Sequence, residues 1–161
     1  MAREIKAAFE EVVSRLEAAN NATGTGDYGL LEGVTLIEGP TEQTFEDADL
    51  PIVIYEILSG GAAEDSHFPD RMRGKMTILL TVMTHVDNGY YNANKTGIID
   101  FYEKIMTVID GASITDITGN GHWGPMPPQY EIGGFERDGL RYVYLIEVEI
   151  QTARYGKGDL Q

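Results

Sequence analysis

R-G-K-M-T-I-L-L-T-V-M-T-H-V, Arg73 to Val86, is the stretch whose reading decides the fold. Met76, Ile78, Leu80, Val82, Thr84 and Val86 fall on alternate positions. A strand sends alternate side chains to one face, so one side of this run is almost wholly apolar and must be buried. The other side, Lys75, Thr77, Leu79, Thr81, Met83 and His85, is mixed and rich in threonine, as a half-covered sheet face is. The run exceeds the roughly five or six residues of an ordinary strand, which predicts a strand that crosses the centre of a sheet and projects beyond it.

Moving toward the N-terminus, residues 59–72, S-G-G-A-A-E-D-S-H-F-P-D-R-M, are dense in glycine, small residues and acids and read as a long loop. Asp65, His67 and Asp70 in it match no compact metal-ligand spacing, and His67 reads as a surface histidine. Before the loop, L-P-I-V-I-Y-E-I-L, Leu50 to Leu58, is apolar at nearly every position. It therefore belongs in the middle of the sheet, with Pro51 at its first residue, where a missing N–H does least harm. The acidic T-E-Q-T-F-E-D-A-D ahead of it is a loop, and Leu31 to Glu38 has strand composition with its alternation broken at Leu36 and Ile37. Ile5, Phe9, Val12, Val13 and Leu16 recur at helical spacing, giving an amphipathic helix from about Arg3 to Ala19 that ends in the Asn- and Gly-rich residues 20–29. The lone G-T-G there lacks both the preceding strand and the following G-K-[ST] of a phosphate loop.

Toward the C-terminus, Asn88-Gly89 signals a turn. A second amphipathic helix follows, from about Lys95 to Ile109, with Ile98, Ile99, Phe101, Tyr102, Ile105, Met106, Val108 and Ile109 on its apolar face and Asn94 or Thr96 as its N-cap. Ala112 to Thr118 reads as a short strand, and residues 119–130, with Trp123 beside His122, as a second long loop. In the closing strand, Arg141 to Thr152, one face carries Tyr142, Tyr144, Ile146, Val148 and Ile150. The other begins with Val143 and Leu145 and turns to Glu147 and Glu149. Alternating carboxylates on a solvated sheet face need no catalytic explanation, and no basic or histidine partner lies near them in sequence. Residues 153–161 read as a mobile tail.

The 161 residues suffice for one domain, 1–161, with a true hydrophobic core. The layout predicts an α+β fold of two layers, a mainly antiparallel sheet of about four to five strands with two amphipathic helices on one face. No apolar run approaches the roughly 20 residues needed to span a bilayer, and M-A-R-E-I-K has no secretory character, so a soluble, cytoplasmically made chain without membrane association is expected. The absence of cysteine excludes disulfides and thiolate chemistry. A formal charge of -14, from 26 acids and 12 bases, argues against gripping nucleic acid, because the bases cluster no further than Arg71, Arg73 and Lys75. No catalytic, cofactor-binding or metal-binding residue is assigned. Overlong strands, a mixed second sheet face and the two long loops leave surface that a lone monomer would not need, which points to assembly.

The order of elements resembles the tail-terminator and tail-completion proteins of long-tailed bacteriophages. The resemblance is carried by the N-terminal helix Ile5 to Leu16, the L-P-I-V-I-Y strand after an acidic stretch, and the long connection feeding Met76 to Val86. The helix Ile98 to Ile109 and the closing strand Tyr142 to Ile150 complete it. It covers most of the chain and contains no diagnostic motif. It implies a virion structural protein without enzymatic activity, assembled in the host cytoplasm and placed at the tail and neck. Such a protein forms a homo-oligomeric ring, usually a hexamer, on the tail tube protein, and meets neck or head-completion proteins while DNA passes through an acidic lumen. Another neck, head-closure, tube or minor capsid role shares the same assembly physics. A small enzyme or ligand-binding domain would need His67, His85 and His122 to meet in space around convergent polar groups.

Overall fold

The computed structural model describes residues 4–21, 29–65, 68–110 and 129–156. Two helices, α1 (Glu4–Asn20) and α2 (Ile98–Asp110), and five strands, β1 (Thr35–Glu38), β2 (Ile52–Asp65), β3 (Phe68–His85), β4 (Gln129–Asp138) and β5 (Arg141–Gly156), make an α+β fold. The sheet is mixed, in the order β1-β2-β3-β5-β4. Among the described residues only β1 and β2 run parallel; every other neighbouring pair is antiparallel. β3 lies at the centre, as its length and alternation require.

The alternation of β3 decides where the core sits. Met76, Ile78, Leu80 and Val82 are fully buried, and their β5 partners Ile150, Val148, Ile146 and Tyr144 are buried beside them. Onto this face α1 brings Val12, Leu16 and Ala19, and α2 brings Ile98, Phe101, Ile105, Val108 and Ile109. Each such side chain contributes about 1.5–3 kcal/mol on burial, so the two helices and one sheet face account for most of the packing. Thr84 continues the same face, fully buried, and its hydroxyl has no hydrogen-bond partner among the described residues. Ile99, expected on the apolar side of α2, is instead 44% exposed, because the stripe of this helix is narrower than its composition suggests. No helix among the described residues is long and apolar enough to cross a membrane.

The helix ends are closed by groups from elsewhere in the chain. Neither Asn94 nor Thr96 is the N-cap of α2. That place falls to Gly97, whose carbonyl accepts from Phe101 N and whose N–H donates to the Asp100 carboxylate at 3.1 Å. The next two N–H groups, of Ile98 and Ile99, donate to the carbonyls of Gly89 and Tyr90. The turn presses so close that a Cβ on Gly97 would stand 2.5 Å from the Tyr90 carbonyl group. At the other end α2 has no base in its last turn, and Arg15 of α1 donates to the Ile109 carbonyl at 2.6 Å.

The parallel pairing of β1 with β2 needs a crossover, supplied by residues 39–51. Thr35 Oγ1 donates to the Asp49 carbonyl, and Arg141 donates to the Phe45 carbonyl and to Asp47 at 3.0 Å, which straps the crossover across the face opposite the helices. Ile52 and Ile54, on that second face, are thereby buried. This is why Leu50 to Leu58 reads as apolar on both sides.

Several expectations need correction. Residues 59–72 are a continuation of β2 and β3 apart from Ser66 and His67, which lie outside the described residues. Their glycines, alanines and acids satisfy the backbone by strand pairing, without apolar alternation. β1 begins at Thr35, with residues 29–33 in turns, and α2 begins at Ile98. Residues 153–156 belong to β5, and Gln129 and Tyr130 open β4, a strand that sequence pattern did not reveal. The short strand expected at Ala112 to Thr118, residues 119–128 with His122 and Trp123, and residues 157–161 lie outside the described residues.

Candidate functional site

Where the outer ladders stop, the three inner strands go on. The pairing of β1 with β2 ends at Glu38 and Tyr55, and that of β4 with β5 ends at Gln129 and Glu149. Beyond those points β2, β3 and β5 continue as a three-stranded arm, in which Arg73 pairs with both Ala63 and Arg154. From Phe68 to Lys75 the arm reaches about 25 Å past the buried Met76. Among the described residues its two outer edges, on β2 and on β5, have no neighbouring strand.

Register shifts mark the base of the arm. Leu58 is an extra residue on β2 between the pairs Ile57 with Ile78 and Ser59 with Thr77, and β5 carries another between the pairs Arg73 with Arg154 and Lys75 with Gln151. Bulges bend a strand and increase its twist, and these two fall at the junction between body and arm. Ile57 and Leu58, at this bend, are about half exposed.

Beside the arm, the second face of the sheet is bare of the crossover and acidic. One cross-strand row reads Glu56, Leu79, Glu147, Glu131, and the next Ser59, Thr77, Glu149, Gln129. Thr77, Gln129, Tyr130, Glu131, Glu147 and Glu149 line a shallow depression of about 130 Å³. Glu149 is met by Lys75 at 3.4 Å. Glu131 and Glu147 are direct cross-strand partners, a like-charge pairing that destabilises a sheet. Such a surface attracts cations. The sequence singled out Glu147 and Glu149, but Glu131 was missed because its strand was; the acid-bearing Q-Y-E-I between two glycine-rich stretches is the one signal available.

The histidines separate in what they show. His85 closes β3, and its Nδ1 accepts from Asp87 N at 3.1 Å, a local cap for the 3-10 turn Val86–Asn88. Asp65 ends β2 and Asp70 lies in β3, while His67 and His122 are outside the described residues. Among the described residues no group of three or more His, Asp or Glu side chains is placed to hold a metal ion. The clear pKa shifts have structural causes; burial, with Glu38 and Glu17 adding to it, raises the Tyr55 phenol. Burial pushes the Tyr144 phenol well up, with the charge of Asp100 adding to it, and its hydroxyl donates a long bond of 3.4 Å to the Ile98 carbonyl. Burial likewise lowers the Lys104 ammonium, which sits 5.0 Å from the centre of the Phe101 ring.

In comparisons with known proteins, no protein-family model matches this chain, and no curated sequence matches it significantly.

Proposed function

We propose that this protein is a structural subunit of a ring that caps the tail tube of a long-tailed bacteriophage and joins it to the neck. The observation that carries this reading is the arm. A three-stranded extension whose two edges have no strand partner among the described residues gains its use when another chain pairs with them. The two-layer body with its helices on one face agrees with the element order on which the resemblance to tail terminators rests. The net charge of -14 suits a lumen through which DNA slides without sticking. Copies of the chain, the tail tube protein and neck or head-completion proteins are the partners of this proposal.

Light scattering of the purified protein across concentration, with negative-stain imaging of the same sample, tests it. Particles of uniform mass with a central hole are expected. A mass that stays at 17.8 kDa at every concentration, with no particles in the images, would count against the ring.

A further inference from the structure

The turn from Asn88 to Gly97 holds two tyrosines out in solvent on a backbone that is fixed from within. Tyr90 is 65% and Tyr91 75% exposed. Their peptide groups nevertheless have settled places. The Tyr90 carbonyl accepts from Ile99 N at 2.7 Å, and Gly97 packs against the backbone of Tyr90 and Tyr91 with no room for a Cβ. Asn92 closes the turn on itself, its side-chain amide donating to the Asn88 carbonyl and to the Thr96 hydroxyl at 2.9 Å. Lys95 takes a φ of 57°, a conformation that its surroundings must impose on a residue with a Cβ. A loose loop loses entropy when it captures a partner; this one is ordered by folding, so its tyrosines are ready anchors.

The tyrosines do not stand alone. Ile99, about half exposed, is the residue bonded to the Tyr90 carbonyl, and Phe135, also about half exposed, stacks on Tyr144, whose hydroxyl reaches the Ile98 carbonyl. Four large side chains thus gather around the first turn of α2, at the end of β3 far from the arm. At roughly 150–250 Å² for an aromatic side chain, they leave roughly 400–500 Å² exposed. A standard interface takes about 800 Å² from each partner, of which about 60% is apolar, so this patch has the size of one interface core.

Its charge indicates the partner. No acid occurs from Asn88 to Ile99 in a chain of formal charge -14. Asp100, which follows, turns its carboxylate onto the N–H groups of Asn92 and Gly97 at 3.0 and 3.1 Å. Copies of so acidic a chain repel one another over most of their surface, and here they can approach without opposed carboxylates. We propose that two copies meet through this patch about a two-fold axis, the Tyr90–Tyr91 turn of each lying against Ile99 and Phe135 of the other. Such a contact closes on itself and doubles whatever carries it, a single chain or a whole ring.

This contact goes beyond the ring reading and does not depend on it. The test is the concentration midpoint of the doubling step, measured by light scattering at low and high salt. Tyr90→Ser with Tyr91→Ser is expected to raise the midpoint about tenfold or more, and Phe135→Ser to raise it by less. Salt should lower the wild-type midpoint, because it screens the repulsion between the two copies. Thermal melts confirm folding, and Tyr91→Asn alone stands in if the double change disturbs the turn. A midpoint that the tyrosine change leaves in place, or wild-type association that salt weakens, overturns the two-fold contact. Rings that form without doubling overturn it and leave the ring standing. A dimer that grows no further, and is lost in the tyrosine variant, upholds it and counts against the ring. A wild type that stays monomeric at every concentration and salt overturns both.

Discussion

Between Met76 and Val82, alternate residues of β3 are fully buried in the core that α1 and α2 cover; from Lys75 back to Phe68 the same strand runs on paired with β2 and β5, beyond the ends of the β1 and β4 ladders. The covered part is held by side-chain burial, and its sequence alternates accordingly. The extended part is held by backbone pairing on both sides, and its sequence, F-P-D-R-M-R-G-K, carries no sustained apolar alternation. One strand thus shows both ways of making a sheet, and the difference separates what stabilises the monomer from what is left for a partner. If that division is right, substitutions in the covered part change folding, and substitutions in the arm change association.

The largest effect is expected at Ile105, which is fully buried on α2. Ile105→Asp places a carboxylate where only apolar groups pack, with a loss well above the roughly 2–5 kcal/mol of an ordinary core truncation, so no cooperative melt is expected. A soluble variant that melts cooperatively would break the comparison at its core side. Gly97→Ala comes next. Its new Cβ meets the Tyr90 backbone at 2.5 Å, and the turn that satisfies the first N–H groups of α2 must shift, for a loss of about 1–3 kcal/mol in a denaturant titration. Thr84→Val moves stability the other way. Removing a buried hydroxyl that has no partner among the described residues, at nearly constant shape, is expected to raise the unfolding free energy by about 1 kcal/mol. Leu58→Ser, at the half-exposed base of the arm, is expected to leave the unfolding free energy of the dilute protein within about 0.5 kcal/mol. A larger loss would show that the arm belongs to the folding core.

The same division explains what the sequence disclosed. Ile78, Leu80 and Val82, Tyr144 and Ile146, and Leu16 and Ile105 announce their places because a buried face imposes a period of 2.0 or 3.6. β4 carries only Tyr130 and Ile132 on its packed side before Gly133 and Gly134 interrupt it. Its ladder to β5 is made by backbone groups that any residue possesses. Residues 59–72 are hidden for that reason too: glycine and alanine are poor strand formers, and what holds them is the pairing of β2 with β3 and of β3 with β5. The acidic face was half legible, since Glu147 and Glu149 alternate visibly. Their row mates Glu56 and Glu131 are joined to them only by register. The crossover 39–51 reads as a loop, and it is one, but its role in covering Ile52 and Ile54 depends on Arg141 nearly a hundred residues away.

Amide hydrogen exchange, compared between a dilute sample and the associated protein, tests the arm's role most directly. On association, the N–H groups on the open edges of residues 57–61 and 150–156 should slow markedly, while those of α2 and of Met76 to Val82 stay as they were. Arm amides exchanging at one rate in both samples, with the change confined to the helices, would contradict it.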